Sequence, residues 1–325
     1  MLHPRNTEVF FTLNNGVRMP ALGLGTAAEP PKTLPPTKQA VKAAVKAGYR
    51  LIDTAWAYGT EPYIGEALKE LFEEGVVKRE DLFITTKVWP THWDLVEKSL
   101  EESLKSLGVE YVDLLLQHWP VCFERVSDPN GVNGIARNPT SSDGKPLLNK
   151  KGDHKETWRQ IESLYLKKDP RIRAVGVSNF PSEYLDDLLK TAKVVPAVNQ
   201  VELHPQFSQL KLRETCKNHH IILESYSPMG ANGAALTELS IVQELVKKYD
   251  ASPGAVLISY HVRQGVVTVP LSQNPKNIAA NVELVPLTQQ DIDALNKNGE
   301  EHIVRYRDEQ FAYPVPGFRE GHERA

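Results

Sequence analysis

Short apolar runs alternate with longer amphipathic segments along most of the chain. The apolar runs are continuous rather than alternating, as expected for parallel strands that are covered on both faces. The segments between them have the helical period: Leu100, Leu104 and Leu107, for example, share one face of a predicted helix that Gly108 ends. Eight strands are predicted: Ala21–Gly25, Leu51–Thr54, Leu82–Val88, Val112–His118, Ile172–Ser178, Ala197–Val201, Ile221–Ser225 and Val266–Pro270.

This repeated strand–helix alternation predicts an α/β fold, a single (β/α)8 TIM barrel domain over residues 1–325. No composition shift or linker divides the chain into two domains. Three stretches interrupt the alternation: a polar insertion at 121–154 after the fourth strand, a small-residue loop at 230–235 after the seventh, and a C-terminal loop at 300–325. We expect the first two on the rim that carries chemistry in such barrels.

Composition narrows the classes of function. The chain has 38 Lys+Arg against 41 Asp+Glu, a formal net charge of -3, so no basic field favours nucleic acid or anionic lipid. The apolar runs are far shorter than a membrane span, and the first thirty residues lack the apolar core of a signal peptide. Cys122 and Cys216 have no metal-ligand spacing. We expect a cytoplasmic monomer or weak dimer with no metal site and no nucleic-acid or membrane partner.

Four polar residues end or closely follow the second, third and fourth predicted strands: Asp53, Tyr58, Lys87 and His118. A barrel brings the C-terminal ends of its strands to one rim, and a charge that ends a buried strand is costly unless it is paired. We therefore predict that Lys87 bonds both Asp53 and Tyr58, with His118 donating to the same substrate oxygen. The ammonium is expected to lower the tyrosine pKa from about 10. Each residue alone is compatible with a structural role, but the four together favour an enzyme that protonates an oxygen.

The later strand ends are polar but uncharged: Ser178–Asn179, Gln200, Tyr226 and Ser272. Two amides beside an aromatic face suit a flat carboxamide ring such as nicotinamide, whose hydride would complement a proton-donating tyrosine. Amides that satisfy loop backbone are the alternative for each residue taken singly. The stretch 23–28 superficially matches a dinucleotide fingerprint, but prolines follow where a helix must begin, which argues against a doubly wound fold.

At these residues the chain resembles the aldo-keto reductase family over nearly its whole length. The matching stretches are MPALGLGT (19–26), GYRLIDTA (48–55), LLQHWP (115–120), GVSNF (176–180), NQVELHP (199–205) and YSP (226–228). The opening residues and DLFITTKVWP (81–90) resemble the yeast D-arabinose dehydrogenase branch of the family.

The resemblance implies reduction of aldehydes or ketones, dicarbonyls included, with NADPH, or oxidation of sugars such as D-arabinose in reverse. Asp53, Tyr58, Lys87 and His118 match the family's catalytic tetrad, with Tyr58 as general acid. Ser178, Asn179 and Gln200 match the holders of the cofactor carboxamide. Tyr226 matches the residue that stacks on the nicotinamide ring, Ser227, Pro228 and Met229 match the segment that holds the pyrophosphate, and Asn281 matches an adenine contact. The other implied cofactor contacts are Gly25, Thr26, Asp53, Pro270, Leu271, Ser272 and Asn277.

One departure from the family pattern concerns the cofactor. Leu271 and Asn277 stand where members usually carry cations for the 2′-phosphate of NADP, with Lys276 adjacent. Each lost charge-assisted hydrogen bond is worth roughly 1.5–3 kcal/mol. We therefore expect a weakened preference for NADP(H), with NAD(H) used as well or instead.

A second departure concerns the substrate pocket. Ala27 stands where many members have a tryptophan, which leaves Trp56, Trp89, His118 and Trp119 as candidate walls. A smaller residue at 27 predicts a roomier pocket, fit for bulky ketones, dicarbonyls or cyclic sugars. The competing interpretation is a cofactor-binding barrel that acts as a redox sensor or accessory subunit with little turnover. An intact tetrad disfavours it, since a sensor could dispense with the acid.

Overall fold

Eight parallel strands form one continuous sheet in the computed structural model, which describes residues 4–27, 34–230, 235–307 and Val315. Each strand pairs with the next along the sheet. In chain order they are β1 (Gly23–Gly25), β2 (Leu51–Asp53), β3 (Phe83–Val88), β4 (Val112–Gln117), β5 (Ile172–Ser178), β6 (Val198–Glu202), β7 (Ile222–Tyr226) and β8 (Val267–Thr268).

The sheet closes on itself between its first and last strands. The backbone N–H of Thr268 donates to Ala21 O at 2.9 Å, and that of Gly25 donates to Pro270 O at 3.0 Å. Closure removes both sheet edges and sets all eight strand ends on one rim. The predicted (β/α)8 barrel is confirmed, and every observed strand end lies within two residues of its prediction.

Helices cover the outside of the sheet, and their apolar faces pack on the outward side chains of the strands. They are α1 (Leu34–Ala47), α2 (Glu61–Glu73), α3 (Val96–Leu107), α4 (His154–Leu166), α5 (Ser182–Leu189), α6 (Leu210–Asn218), α7 (Ser240–Tyr249), α8 (Pro253–Val262), α9 (Pro275–Ala280) and α10 (Gln289–Glu301). Gly108 ends α3 with a φ of 64°, as the sequence predicts. No helix in the described ranges has the length and apolarity needed to cross a membrane.

The barrel interior is apolar at one end and polar at the other. Leu51, Phe83, Leu114 and Val198 belong to the apolar part, which a short N-terminal hairpin (Phe10–Thr12 and Arg18–Pro20) closes with Leu13 and Met19. Sequence reasoning missed this hairpin. Gly23 makes room in the same part, because a Cβ there would lie 2.4 Å from Leu51 Cγ. Toward the C-terminal ends of the strands the interior becomes polar, so the fold places charged side chains near that rim.

The three predicted interruptions differ in what the structure describes. The insertion 121–154 lies after β4 and contains a strand, Ser127–Val132, that folds back on Ile135. Of the loop 230–235, residues 231–234 lie outside the described residues. The C-terminal loop begins two residues later than predicted, because α10 runs to Glu301; 308–314 and 316–325 lie outside the described residues. The single-domain organisation of 1–325 stays a prediction.

Candidate active site

Lys87 connects two of the predicted catalytic residues at the polar end of the barrel. Its Nζ lies 2.8 Å from both carboxylate oxygens of Asp53 and 3.1 Å from the hydroxyl oxygen of Tyr58, and it also donates to Thr54 O at 2.9 Å. All three donors of the ammonium are therefore used. Lys87 and Asp53 are buried, as is Tyr58. The predicted contact of acid, ammonium and phenol is present.

Burial and charge oppose one another in this group. Burial disfavours the charge on Lys87, but the charge of Asp53 and the contact with Tyr58 outweigh it, so the pKa of Lys87 is raised above its ordinary value. Burial raises the pKa of Tyr58, and the ammonium offsets this only in part. The prediction of a lowered tyrosine pKa is therefore wrong, because the phenol lies deeper than the sequence could reveal. Tyr58 is a protonated phenol at neutral pH.

His118 lies beside the phenol and completes the predicted tetrad. Its ring is 5.5 Å from that of Tyr58 and 4.7 Å from that of Trp89, edge-on in both cases. Burial, with the charges of Lys87 and Arg137, holds the pKa of His118 well below its usual range, so the imidazole is neutral. Its Nδ1 is buried and has no hydrogen-bond partner among the described residues. A neutral imidazole can donate one hydrogen bond to a substrate oxygen without carrying charge.

The insertion after β4 contributes a cation that sequence reasoning missed. The guanidinium of Arg137 lies 5.5 Å from the ring of Trp89, whose Nε1 donates to Arg137 O at 2.6 Å. Burial is the largest effect on the pKa of both Tyr58 and His118; the charge of Arg137 acts to lower both, and the pKa of Tyr58 remains raised. No local pattern around Arg137 indicates this position, since it depends on how the insertion folds over the rim.

The predicted pocket residues divide between the rim and the surrounding packing. Trp89 contacts His118, whereas Trp56 packs on His92 and donates from Nε1 to Glu102 on α3 at 2.7 Å. Trp56, Trp89 and Trp119 are buried in one aromatic cluster together with Phe123 and Val315. Ala27 is exposed, at the edge of the described residues. That Ala27, His118 and the three tryptophans line a substrate pocket stays a prediction.

The predicted carboxamide holders bond mainly to the protein. Asn179 donates from Nδ2 to His118 O at 3.0 Å and to Ser178 Oγ at 3.1 Å, and its Oδ1 accepts from the hydroxyl of Tyr226 at 2.8 Å. Ser178 donates to Gln200 O at 2.8 Å. Asn179 adopts a φ of 63°, which asparagine tolerates better than most residues. These residues are assembled at one place on the rim, as predicted, but most of their polar atoms already have partners.

Gln200 reveals a second acid that sequence reasoning did not single out. Its Nε2 donates to Asp53 Oδ1 at 2.8 Å and to Glu224 Oε2 at 2.9 Å. Glu224 is fully buried, and burial together with the charge of Asp53 raises its pKa to about 8. The signal was present in the sequence: Glu224 is a charged residue inside an apolar strand, two positions before Tyr226 and so on the same face.

The residues predicted to contact the rest of the cofactor line the rim between β7, β8 and β1. Thr26 donates its hydroxyl to Asp53 O at 2.8 Å, and a Cβ at Gly25 would lie 2.7 Å from Val269 O. Ser227, with a φ of 50°, begins the turn after β7, followed by Pro228 and Met229. A Cβ at Gly254 would meet both Asn281 and Met229, so these two side chains converge on the start of α8.

The segment after β8 is exposed, as a site for a large anion requires. Leu271 has 54% of its surface exposed, and Asn277 is exposed on the short helix α9, while Pro270 is buried. Ser272 lies between them and accepts the backbone N–H of Asn274 at 3.2 Å. Lys276, the cation within the described part of this segment, is exposed as well. The weakened preference for NADP(H) stays a prediction.

A buried carboxylate attaches the C-terminal segment to the same rim. Glu202, at the end of β6, accepts the backbone N–H of Tyr306 at 2.6 Å and of Arg307 at 3.0 Å. Arg307 in turn donates from Nε to Ser227 Oγ at 3.5 Å. Glu202 was not singled out from the sequence. Across the described ranges, no cluster of His, Cys, Asp and Glu could hold a metal ion.

The comparisons with known proteins agree with this geometry. The family model described as "Aldo/keto reductase family" matches residues 21–300. A D-galacturonate reductase of Hypocrea jecorina is 40% identical over 94% of this chain and 96% of its own length, and a glycerol 2-dehydrogenase (NADP(+)) of Saccharomyces cerevisiae is 38% identical over 90% and 93%.

Solved structures give the same result for the fold. An aldose reductase from Schistosoma japonicum superposes with a TM-score of 0.82 at 32% identity, covering 91% of this chain and 93% of the other. A Bombyx mori aldo-keto reductase in complex with NADP superposes with a TM-score of 0.80 at 30% identity, covering 97% and 99%. With its barrel and its assembled rim of acid, ammonium, phenol and imidazole, the chain belongs to the aldo/keto reductase family.

Proposed function

We propose that this protein catalyses the NAD(P)H-dependent reduction of aldehydes and ketones, dicarbonyls included, and the reverse oxidation of sugar alcohol groups. The observation that carries the proposal is the contact of one buried ammonium, Lys87, with both Asp53 and Tyr58. A buried charged group is costly, and a purely structural pair would not need a phenol as a further partner of the ammonium. The arrangement suits an enzyme that delivers a proton to an oxygen.

In this mechanism Tyr58 is the general acid and Lys87 stabilises the phenolate that remains. The phenol starts protonated, because its pKa is raised by burial, and Asp53 holds the neighbouring ammonium in its charged form. Neutral His118 orients the carbonyl oxygen toward the phenol. A nicotinamide cofactor held at this rim would supply the hydride for the carbonyl carbon.

The residues present suit a nicotinamide at this rim. Gln200 uses its nitrogen for two carboxyl groups, and its Oε1 accepts no hydrogen bond from the described residues, so it can accept one from a carboxamide. Tyr226 offers an aromatic face beside it, and Ser227–Met229 would hold the pyrophosphate. Exposed Leu271 and Asn277 favour shared use of NAD(H) and NADP(H) over strict selection of NADP(H).

Arg137 favours substrates that carry a carboxylate, such as uronic acids. Its guanidinium lies 5.5 Å from the ring of Trp89, which itself packs 4.7 Å from the ring of His118, so its positive charge lies at the same end of the barrel as the proposed carbonyl site. The relative named D-galacturonate reductase supports this preference. The D-arabinose dehydrogenase branch remains the alternative, which rests on the opening residues and on 81–90. A cytoplasmic monomer or weak dimer remains our expectation.

A steady-state assay of NAD(P)H consumption tests the proposal. The panel holds a uronic acid, neutral aldoses including D-arabinose for the reverse reaction, simple aldehydes and a diketone, each with both cofactors. We expect turnover that depends on a carbonyl substrate and on either cofactor. Tight nucleotide binding without turnover on any member would instead support the redox sensor or accessory subunit.

A further inference from the structure

Glu224 lies beside the catalytic group without belonging to the predicted tetrad. It is paired in register with Gln200 on the neighbouring strand β6, and its Oε2 accepts from Gln200 Nε2 at 2.9 Å. The same nitrogen donates to Asp53 Oδ1 at 2.8 Å. One amide nitrogen therefore lies between two buried carboxyl groups.

This arrangement fixes which way the Gln200 amide points. An amide nitrogen carries two N–H groups and no acceptor, whereas the amide oxygen only accepts. The Asp53 carboxylate and the Glu224 Oε2 atom both accept on one side, so they select the nitrogen for that side and the amide oxygen is turned away from both. If Glu224 were absent, one N–H would lose its partner and the amide could rotate about its last bond, which is a broad two-fold torsion.

We propose that Glu224 is a positioning residue of the cofactor site, which holds Gln200 so that its oxygen faces the nicotinamide carboxamide while its nitrogen stays bonded to Asp53. This inference rests on the proposed function, because it assigns Gln200 to the cofactor. Glu224 touches neither the phenol nor the ammonium by hydrogen bond, so it acts through Gln200.

The charge state of Glu224 follows from its surroundings. The groups that face it are Asp53 from β2, Lys87 from β3 and uncharged Gln200 from β6. Lys87 is already bonded to Asp53, and Glu224 Oε1 has no partner within the described ranges. A second full negative charge is therefore poorly compensated, which agrees with a pKa of about 8. At pH 7 the residue is mostly a neutral acid, and above pH 8 it repels Asp53.

Binding of NADPH, followed by fluorescence titration at pH 7, separates this role from simple packing. Glu224→Gln keeps a neutral acceptor of the same length, so we expect a Kd within twofold of the unaltered protein. Glu224→Leu removes the acceptor, and Glu224→Asp withdraws it by one methylene; we expect each to raise Kd at least fivefold. Thr85→Val is the matched control, because Thr85 is in register with Asp53 and its buried hydroxyl has no described partner. It should bind normally.

The pH dependence of NADPH affinity is a second measurement, and a purely structural role of Glu224 would not change it. We expect the affinity of the unaltered protein to weaken between pH 7 and 9, and that of Glu224→Gln to weaken less. Equal affinity in all Glu224 variants would overturn the inference, as would equal losses in Glu224→Gln and Glu224→Asp. If Glu224→Leu does not fold, Glu224→Asp decides. If the unaltered protein binds no nucleotide, the proposed function itself fails.

Discussion

The Tyr226 hydroxyl donates to Asn179 Oδ1 at 2.8 Å, which joins the residue predicted to stack on the nicotinamide to one predicted to hold its carboxamide. The two come from strand ends 47 residues apart in sequence. Their bond orients Asn179, because its other amide atom is committed to His118 O. The ring and the amide therefore form one rigid wall of the proposed cofactor site.

Removing that hydroxyl should weaken cofactor binding. Tyr226→Phe keeps the ring but leaves the Asn179 oxygen without its donor, and a hydrogen bond of this kind contributes about 0.5–1.5 kcal/mol. We expect the NADPH Kd to rise about two- to tenfold in fluorescence titrations, with a larger rise for Tyr226→Ala, which also loses the ring. Tighter binding by Tyr226→Phe would show that the bond competes with the ligand.

Tyr58→Phe should stop the reduction while it leaves the cofactor site intact. General acid catalysis contributes typically a hundred- to ten-thousandfold, so we expect kcat to fall by at least that lower factor. The NADPH Kd should change little, because the ring remains. Tyr63→Phe on α2 provides the control, with normal kcat expected. Turnover retained in Tyr58→Phe would exclude this phenol as the acid.

Glu61 and Glu224 should each stabilise the fold less as pH rises from about 5 to 8. Glu61 and Glu224 have folded-state pKa values raised to about 7 and about 8, in both cases mainly by burial. Between the ordinary carboxyl pKa and these values, the folded chain binds more protons than the unfolded chain, so deprotonation favours unfolding. In urea denaturation over this range, the unfolding free energy of the unaltered protein should change with pH in a more destabilising direction than that of Glu224→Gln or Glu61→Gln, because buried histidines such as His118 act with the opposite sign and are the same in all three proteins. The same pH dependence in both variants and in the unaltered protein would contradict these assignments.

Cofactor choice should respond to one surface substitution. The unaltered protein should show less than a hundredfold preference for NADPH over NADH in kcat/KM. Leu271→Arg places a cation on an exposed site, and a charge-assisted bond of roughly 1.5–3 kcal/mol corresponds to about a ten- to hundredfold gain for NADPH. NADH kinetics should stay constant, and Leu210→Arg, at another exposed leucine, should alter neither. A strong NADPH preference before substitution would refute the predicted weakening.

Arg137→Met should distinguish anionic from neutral substrates. The change keeps a long apolar stem against Trp89 and removes the charge. We expect KM for a uronic acid to rise about tenfold, the order expected for a loss of 1–2 kcal/mol, with little change for neutral aldoses. Arg159→Met, exposed on α4, serves as the control. Equal effects on both substrate classes would leave Arg137 with a packing role only.

The sequence predicts the barrel and the group around Lys87 for the same physical reason. Continuous apolar runs indicate buried parallel strands, and a charge that ends such a run must find a partner at the rim. Asp53 and Lys87 satisfied that requirement, as their ion pair shows. Both can be recognised from local sequence because the constraint is local.

Other features depend on distances that no local pattern contains. The position of Arg137 is set by the folding of a long insertion, and Glu224 gains its meaning only from the register that places it opposite Gln200. The predicted direction of the Tyr58 pKa shift was wrong, because the sequence indicated that an ammonium lies near the phenol but not how deeply the phenol is buried. A charge at a strand end can be recognised from the sequence, whereas the extent to which a group is removed from water can be seen only in the folded structure.

The attachment of the C-terminal segment has a consequence for how this rim can change. Glu202 accepts hydrogen bonds from the main-chain N–H groups of residues 306 and 307, and every residue except proline has such a group. These two hydrogen bonds therefore do not depend on the side chains at 306 and 307. Substitutions at 306 and 307 other than proline should therefore leave the path of the chain at this rim unchanged, so the side chains presented beside Ser227 can vary without loss of the attachment.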